Sequence, residues 1–189
     1  MAALLGIPVL ALLGLIVVVA LWAIGVYNRL VRLKVSCQDA WASIDVQLKR
    51  RYDLIPNLVE TVKGYASHER ETLEAVIAAR QAGIDADTVG DQAQAENMIT
   101  GALRQLFALS EAYPDLKANT NFAQLQEELA STENKISFSR QNYNSNVRQY
   151  NTRIESFPDN ILAGMFGFMQ REFFELEDSE QRAAPQVQF

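Results

Sequence analysis

The stretch LVRLKVSCQDAWASIDVQLKRRYDLIPNLVETVKGY, residues 30–65, decides the fold. Apolar or aromatic residues recur in it at alternating three- and four-residue steps: Leu30, Leu33, Cys37, Trp41, Ile44, Leu48, Ile55, Leu58, Val62 and Tyr65. That spacing lines one face of a helix and turns it toward a core. Arg51 is the one charged interruption of the seam. Pro56 falls inside the pattern, where it lacks an amide donor and crowds the preceding turn. A kink or short break is therefore expected across residues 53–57, from Asp53 to Asn57, with Asp53 placed to cap a restarted helix.

Upstream, the first charged side chain is Arg29, and residues 2–27 are apolar, small or uncharged. At 1.5 Å per residue, a helix of about two dozen residues crosses the ~30 Å hydrocarbon layer with some tilt. A cleaved secretory signal fits poorly, because no Lys or Arg precedes the run, the run is too long for a signal core, and Gly25-Val26-Tyr27 is a poor cleavage site. No Gly or Pro intervenes between Tyr27 and Tyr52, so the anchor is expected to continue directly into the soluble helix. Arg29, Arg32 and Lys34 crowd its C-terminal flank, and the positive-inside rule then puts the following domain in the cytoplasm, the periplasm or exterior being the alternative. The division expected is an anchor at 1–28, a helical bundle at 29–158 and an aromatic segment with an acidic tail at 159–189.

Downstream, a second helix is expected over 67–81, with Leu73, Val76 and Ile77 inward and Gly83 as its stop. A solvated loop follows over 83–90. A third helix is expected over 91–113, with Ala95, Met98, Ala102, Leu106 and Leu109 on one face. The fourth is the longest: Phe122, Leu125, Leu129, Thr132, Ile136, Ser139, Tyr143, Val147, Tyr150, Ile154 and Phe157 keep a near-heptad spacing until Pro158, a length of roughly 50 Å. Its outward positions carry Gln124, Gln126, Asn134, Gln141, Asn142, Asn144, Asn146, Gln149 and Asn151, either a solvated face or an inter-subunit hydrogen-bonding surface. The fold class is all-α: an N-terminal transmembrane helix continuing into an elongated antiparallel bundle of about four helices. After Pro158, the cluster Ile161, Leu162, Met165, Phe166, Phe168, Met169, Phe173 and Phe174 either folds back onto the bundle, lies in the bilayer interface or awaits a partner. The acidic residues that follow from Glu172 favour docking on the bundle.

A net charge of −6 and a pI near 4.9 argue against nucleic-acid binding. The lone Cys37 excludes an internal disulfide, and His68 is the only histidine. His68-Glu69 is not a zinc-protease motif, because its second ligand would be residue 72, which is Thr72. No Gly-rich phosphate loop or Gly-x-Ser-x-Gly elbow is present. Catalytic residues, cofactors and metals are therefore not expected, and the chain does not read as an enzyme.

The run Arg51-Tyr52-Asp53-Leu54-Ile55-Pro56-Asn57-Leu58-Val59-Glu60-Thr61-Val62-Lys63-Gly64-Tyr65-Ala66, followed by His68-Glu69 and Thr72-Leu73, resembles the signature of bacterial LemA-family proteins. Tyr113-Pro114-Asp115-Leu116-Lys117-Ala118-Asn119, with Phe122, Leu125-Gln126, Glu128-Leu129, Thr132-Glu133-Asn134 and Ile136, resembles the family's second half, and so do Arg140, Tyr143-Asn144, Tyr150-Asn151, Phe157-Pro158 and the terminal Pro185-Gln186-Val187-Gln188-Phe189. The resemblance implies a membrane-anchored helical bundle in the bacterial cell (inner) membrane, passing it once. It implies no catalytic residues, a magnetosome-membrane role in one branch, and genes beside membrane metallopeptidases in others. The function expected is a non-enzymatic scaffold or adaptor, held to membrane lipid by its anchor, homo-oligomeric, with Val187 and Phe189 open to capture by a partner groove. The alternatives are a lipid-interacting remodelling protein and an accessory subunit of a membrane peptidase.

Overall fold

The computed structural model describes residues 2–175, with side chains described from residue 10 onward. Val187 and Phe189, and most of the acidic tail, lie outside the described residues. Six helices follow in order: α1 (Ala2–Lys63), α2 (Arg70–Ile84), α3 (Val89–Ala112), α4 (Pro114–Lys117), α5 (Thr120–Glu155) and α6 (Asp159–Met165). No strand occurs among the described residues. The fold is all-α, as the helical periodicity predicts.

The described residues divide into two compact units, one built from 2–40 and 144–171, the other from 41–143 and 172–175. In the second unit, Ile44, Leu48, Ile55, Leu58 and Val62 of α1 are buried, as are Leu73 and Val76 of α2, Ile99 and Leu106 of α3, Leu116 of α4, and Phe122, Leu129 and Ile136 of α5. α2 and α3 pack on each other across a short connection in which Thr88 caps α3, its hydroxyl accepting from the Asp91 amide at 3.0 Å. Trp41 meets the rings of Tyr143 and Phe174 edge-on. In the first unit, Val26, Leu30 and Cys37 of α1 and Val147, Tyr150 and Ile154 of α5 are buried.

The break expected at residues 53–57 is absent, for α1 is helical throughout. Pro56 leaves the Tyr52 carbonyl without its helical donor, and Arg80 supplies one from α2, its Nε donating to Tyr52 O at 2.8 Å. Asp53 caps nothing; it pairs with Lys49 one turn back at 3.2 Å. Asn57 is exposed, and its carbonyl accepts from the Thr61 hydroxyl.

Gly83 does not stop α2 but lies buried inside it. A Cβ there would stand 2.6 Å from the Tyr52 hydroxyl, so the glycine exists to let that phenol pass. Of the positions expected inward, Leu73 and Val76 of α2 and Ala95, Ala102 and Leu106 of α3 are buried, and two others are exposed. Ile77 and Met98 are exposed, while Ala79, Ile99 and Leu103 are buried. On α3 a charged residue shares the inward face: Glu96 is fully buried, and Gln92, Ile99 and Leu103 join the expected Ala95, Ala102 and Leu106 inside.

Candidate functional site

Arg51 sits on the buried seam of α1, where a charge without a partner would be costly. The second unit answers from two other helices. One guanidinium nitrogen donates to Glu96 of α3 at 2.7 Å. The other donates to the Thr100 hydroxyl at 3.0 Å and pairs with Glu133 of α5 at 2.9 Å. The second Glu96 oxygen accepts from the Tyr52 hydroxyl and, at 3.2 Å, from the Gln92 amide, which also donates to Tyr52 at 2.6 Å. Gln92, Glu96 and Thr100 are spaced four apart, so one stripe of α3 faces the adjacent pair Arg51-Tyr52.

Burial pushes the Glu96 carboxyl up from its ordinary value, against the pull of Arg51 and of the hydrogen bonds from Tyr52 and Arg51. The Tyr52 phenol is pushed far up, first by burial and then by the Glu96 charge beside it. These groups are locked to one another and closed to solvent, which suits a structural tie and not proton exchange with a substrate. Next to Arg51 and Glu133 opens a cavity of about 300 Å³ walled chiefly by Leu103, Phe107, Leu129 and Ala130. Of its polar lining, Thr100 and Glu133 are held by Arg51, and Arg104 and Gln126 complete the wall.

A second cluster gathers where α1 ends. Gly64 and Tyr65 form the turn after α1, His68 is exposed, and Glu69 precedes α2 without capping it. Glu69 instead accepts from the Tyr113 hydroxyl at 3.0 Å, a bond that raises the phenol's pKa. Asn119 donates from its amide to the Tyr65 hydroxyl at 2.9 Å while its carbonyl oxygen caps α5 by accepting from the Phe122 amide at 3.0 Å. The two sequence blocks around Tyr65 and Tyr113 thus meet side chain to side chain. Their bonds join helix ends.

In the first unit, α6 ends on Gly167, whose φ of 68° lies in the left-handed region and lets the Phe168 amide reach back to Ala163 O at 2.9 Å. The turn brings Phe166 and Phe168 against Tyr27 of α1, ring centroids 4.9 and 5.8 Å away. The chain then returns along α5, where the Asn151 amide accepts from Arg171 N and donates to Arg171 O, both at 2.9 Å. Asn151 is therefore a clamp on this chain's own backbone. Docking is only half of the segment's behaviour: Leu162 and Ala163 are buried, but Ile161, Met165, Phe166 and Met169 stay exposed. Arg29, Arg32 and Lys34 are exposed as well. Cys37 is fully buried, and burial pushes its thiol up against the opposing pull of Arg171, so it is a packing residue and not a nucleophile. Among the described residues no three His, Cys, Asp or Glu side chains converge as metal ligands.

Sequence reading flagged Arg51 but did not find its partners. The signal was available, since a buried arginine demands carboxylates and the polar stripe on α3 sits at helical spacing.

Residues 40–189 match the family model described as LemA family. The chain is 29% identical over 163 residues to "Protein LemA" of Metamycoplasma hominis, covering 84% of this chain and 73% of that protein. It is 25% identical over 175 residues to "Magnetosome protein MamQ 2" of Paramagnetospirillum magneticum, and 23% identical over 174 residues to "Magnetosome protein MamQ" of Magnetospirillum gryphiswaldense. The matches cover 79% and 78% of this chain and 64% of each magnetosome protein, less than two thirds of their length. With the two sequence blocks joined in space and a family match across most of its length, this chain belongs to the LemA family.

Proposed function

We propose that this protein is a non-enzymatic, membrane-anchored scaffold, held by α1 and offering its helical second unit to further copies and to partner proteins. The observation that carries the proposal is the network of buried Arg51, Tyr52 and Glu96 with half-exposed Glu133 at its edge. It joins α1, α3 and α5 through polar groups bonded to one another, which suits a stiff presenting body. The N-terminal part of α1 supports the anchor: it is long and apolar enough to cross a membrane, and only 6% of its most apolar window is buried, unlike the core helix of a soluble domain. Its basic flank of Arg29, Arg32 and Lys34 supports a cytoplasmic location for the domain. The exposed amides of Gln124, Gln126, Asn134 and Gln141 on α5 offer uncharged hydrogen-bonding groups for self-association.

The test is light scattering on the detergent-solubilised full chain, combined with crosslinking in native membranes. The reading expects a mass above one protomer that falls when Gln126 and Asn134 are changed to Lys, together with crosslinked partner proteins. A monomer that crosslinks to nothing would reject it.

A further inference from the structure

The first unit carries an apolar surface that its own packing does not explain. On α6 the inward residues are Asp159, Leu162 and Ala163, and the outward ones are Ile161 and Met165, one turn apart. The turn adds Phe166 and Met169. Met165 is 72% and Met169 80% exposed, more than many residues of the span itself. Large flexible thioethers and a phenyl ring held in water at the tip of a turn are unfavourable, and a surface of this kind marks a contact.

The position of the tip identifies that contact. Phe166 and Phe168 stack edge-on against Tyr27, and Tyr27 closes the uncharged run of α1 just before Arg29. A tyrosine there occupies the aromatic belt at the headgroup boundary. A ring centroid 4.9 Å away shares its depth to within the thickness of the interfacial layer. Charge fits too. Asp159, the one acidic residue from 156 to 171, is buried and ion-paired with Arg153, and the exposed Glu155 at the end of α5 is satisfied in part by the Gln170 amide that donates to it. Arg29, Arg32 and Lys34 stand exposed immediately beyond Tyr27, where anionic headgroups would meet them.

We propose that residues 161–169 form an interfacial collar around the exit of α1, with Ile161, Met165, Phe166 and Met169 immersed among the headgroups and upper acyl chains of glycerophospholipid in the leaflet from which α1 emerges. The collar rests on the reading of α1 as a membrane span. It adds a second, non-spanning attachment that fixes the first unit against the membrane surface, as an amphipathic segment does.

The test is site-directed spin labelling of the full chain in nanodiscs of phosphatidylcholine and phosphatidylglycerol. Single cysteines are introduced as Met165→Cys and Met169→Cys, with Val18→Cys as a span control and Phe138→Cys as a water control; native Cys37 is buried from the label. The collar expects accessibility to oxygen relative to a water-soluble nickel chelate to be severalfold higher at 165 and 169 than at 138, and to approach the value at 18. Water-like values at both 165 and 169 with a lipid-like value at 18 would overturn the collar while leaving the anchor standing. Water-like values at 18 would overturn the anchor, and the collar with it. Dipolar broadening at 165 or 169 that disappears on dilution with unlabelled chain would identify a second copy as the occupant and overturn the lipid assignment.

Discussion

The two units invert the usual arrangement of polarity in opposite ways. The second buries both members of an ion pair, Arg51 and Glu96, where the first buries only the acid of the pair Asp159 and Arg153. The first gathers exposed apolar residues, Met165, Phe166 and Met169, in one turn, where the second exposes them singly, as at Phe138. Each departure has its own physical resolution. The buried charges are paired and hydrogen-bonded by groups from three helices, so the departure is closed inside the unit. The exposed apolar residues have no such closure within theirs, and the resolution must come from outside. A polar group in a core reports on folding, and an apolar group on a surface reports on surroundings.

The sharpest way to break this contrast is to unbalance the buried charges. Arg51→Met leaves Glu96 buried without its cation and is expected to destabilise the second unit by about 3–5 kcal/mol. The double variant Arg51→Met with Glu96→Leu is expected to recover most of that loss, because an apolar pair of similar volume is often as stable as the ion pair it replaces. Urea unfolding followed by circular dichroism measures both. A double variant no more stable than the single one would mean that Tyr52, Gln92 and Glu133 depend on the pair for their own satisfaction.

Gly83 tests the same network from behind. Gly83→Ala puts a methyl group 2.6 Å from the Tyr52 hydroxyl, which cannot swing aside without giving up Glu96 and Gln92. A loss of about 1–3 kcal/mol is expected, as for other overpacked interiors. The loss should shrink in a Tyr52→Phe background, and a double-mutant cycle measures the coupling.

Most of the helical frame was legible because it rests on spacing. The α1 and α5 seams that run from Leu30 and Phe122 follow the buried stripes observed, with Leu33, Trp41, Leu125 and Ser139 half-buried and Tyr65 and Phe157 ending in solvent. What stayed hidden was every feature requiring a partner from elsewhere in the chain. Pro56 reads locally as a break, and only Arg80, 24 positions on, keeps its neighbourhood satisfied. Glu96 reads locally as surface, yet it lies on the buried face of α3 beside the expected Ala95, Ala102 and Leu106. Asn151 reads as part of a polar stripe, and its true partner is a backbone stretch 20 residues later. Hydrophobic periodicity carries no information about long-range polar pairing, so the ties of the candidate site were the least visible part.

Alkaline pH tests the buried network more gently. Tyr52 is an acid whose folded pKa lies above its unfolded value of about 10, so the unfolded chain loses this proton first and stability falls as pH rises beyond that point. Tyr113 and Tyr150 are shifted in the same direction. For Tyr52 alone the loss is up to about 1.4 kcal/mol per pH unit above 10. Absorbance at 295 nm should show the Tyr52 phenolate appearing together with unfolding, and Tyr52→Phe should remove that component of the pH dependence. A Tyr52 that ionises reversibly near pH 10 in the folded chain would show that the network admits water.

The smallest effect probes the first unit, where the surroundings and not the core are in question. Asn151 holds the return segment by both backbone groups of Arg171, and Asn151→Ala is expected to cost about 1–2 kcal/mol through two lost hydrogen bonds. The consequence is local if the collar is lipid-bound, because the bilayer continues to hold residues 161–169 after the clamp is gone. Amide exchange across 166–171 should then rise more in detergent-free amphipol than in nanodiscs. If the protein alone positions this segment, the two environments should show the same rise. The same substitution therefore distinguishes a surface completed by the chain from one completed by the membrane.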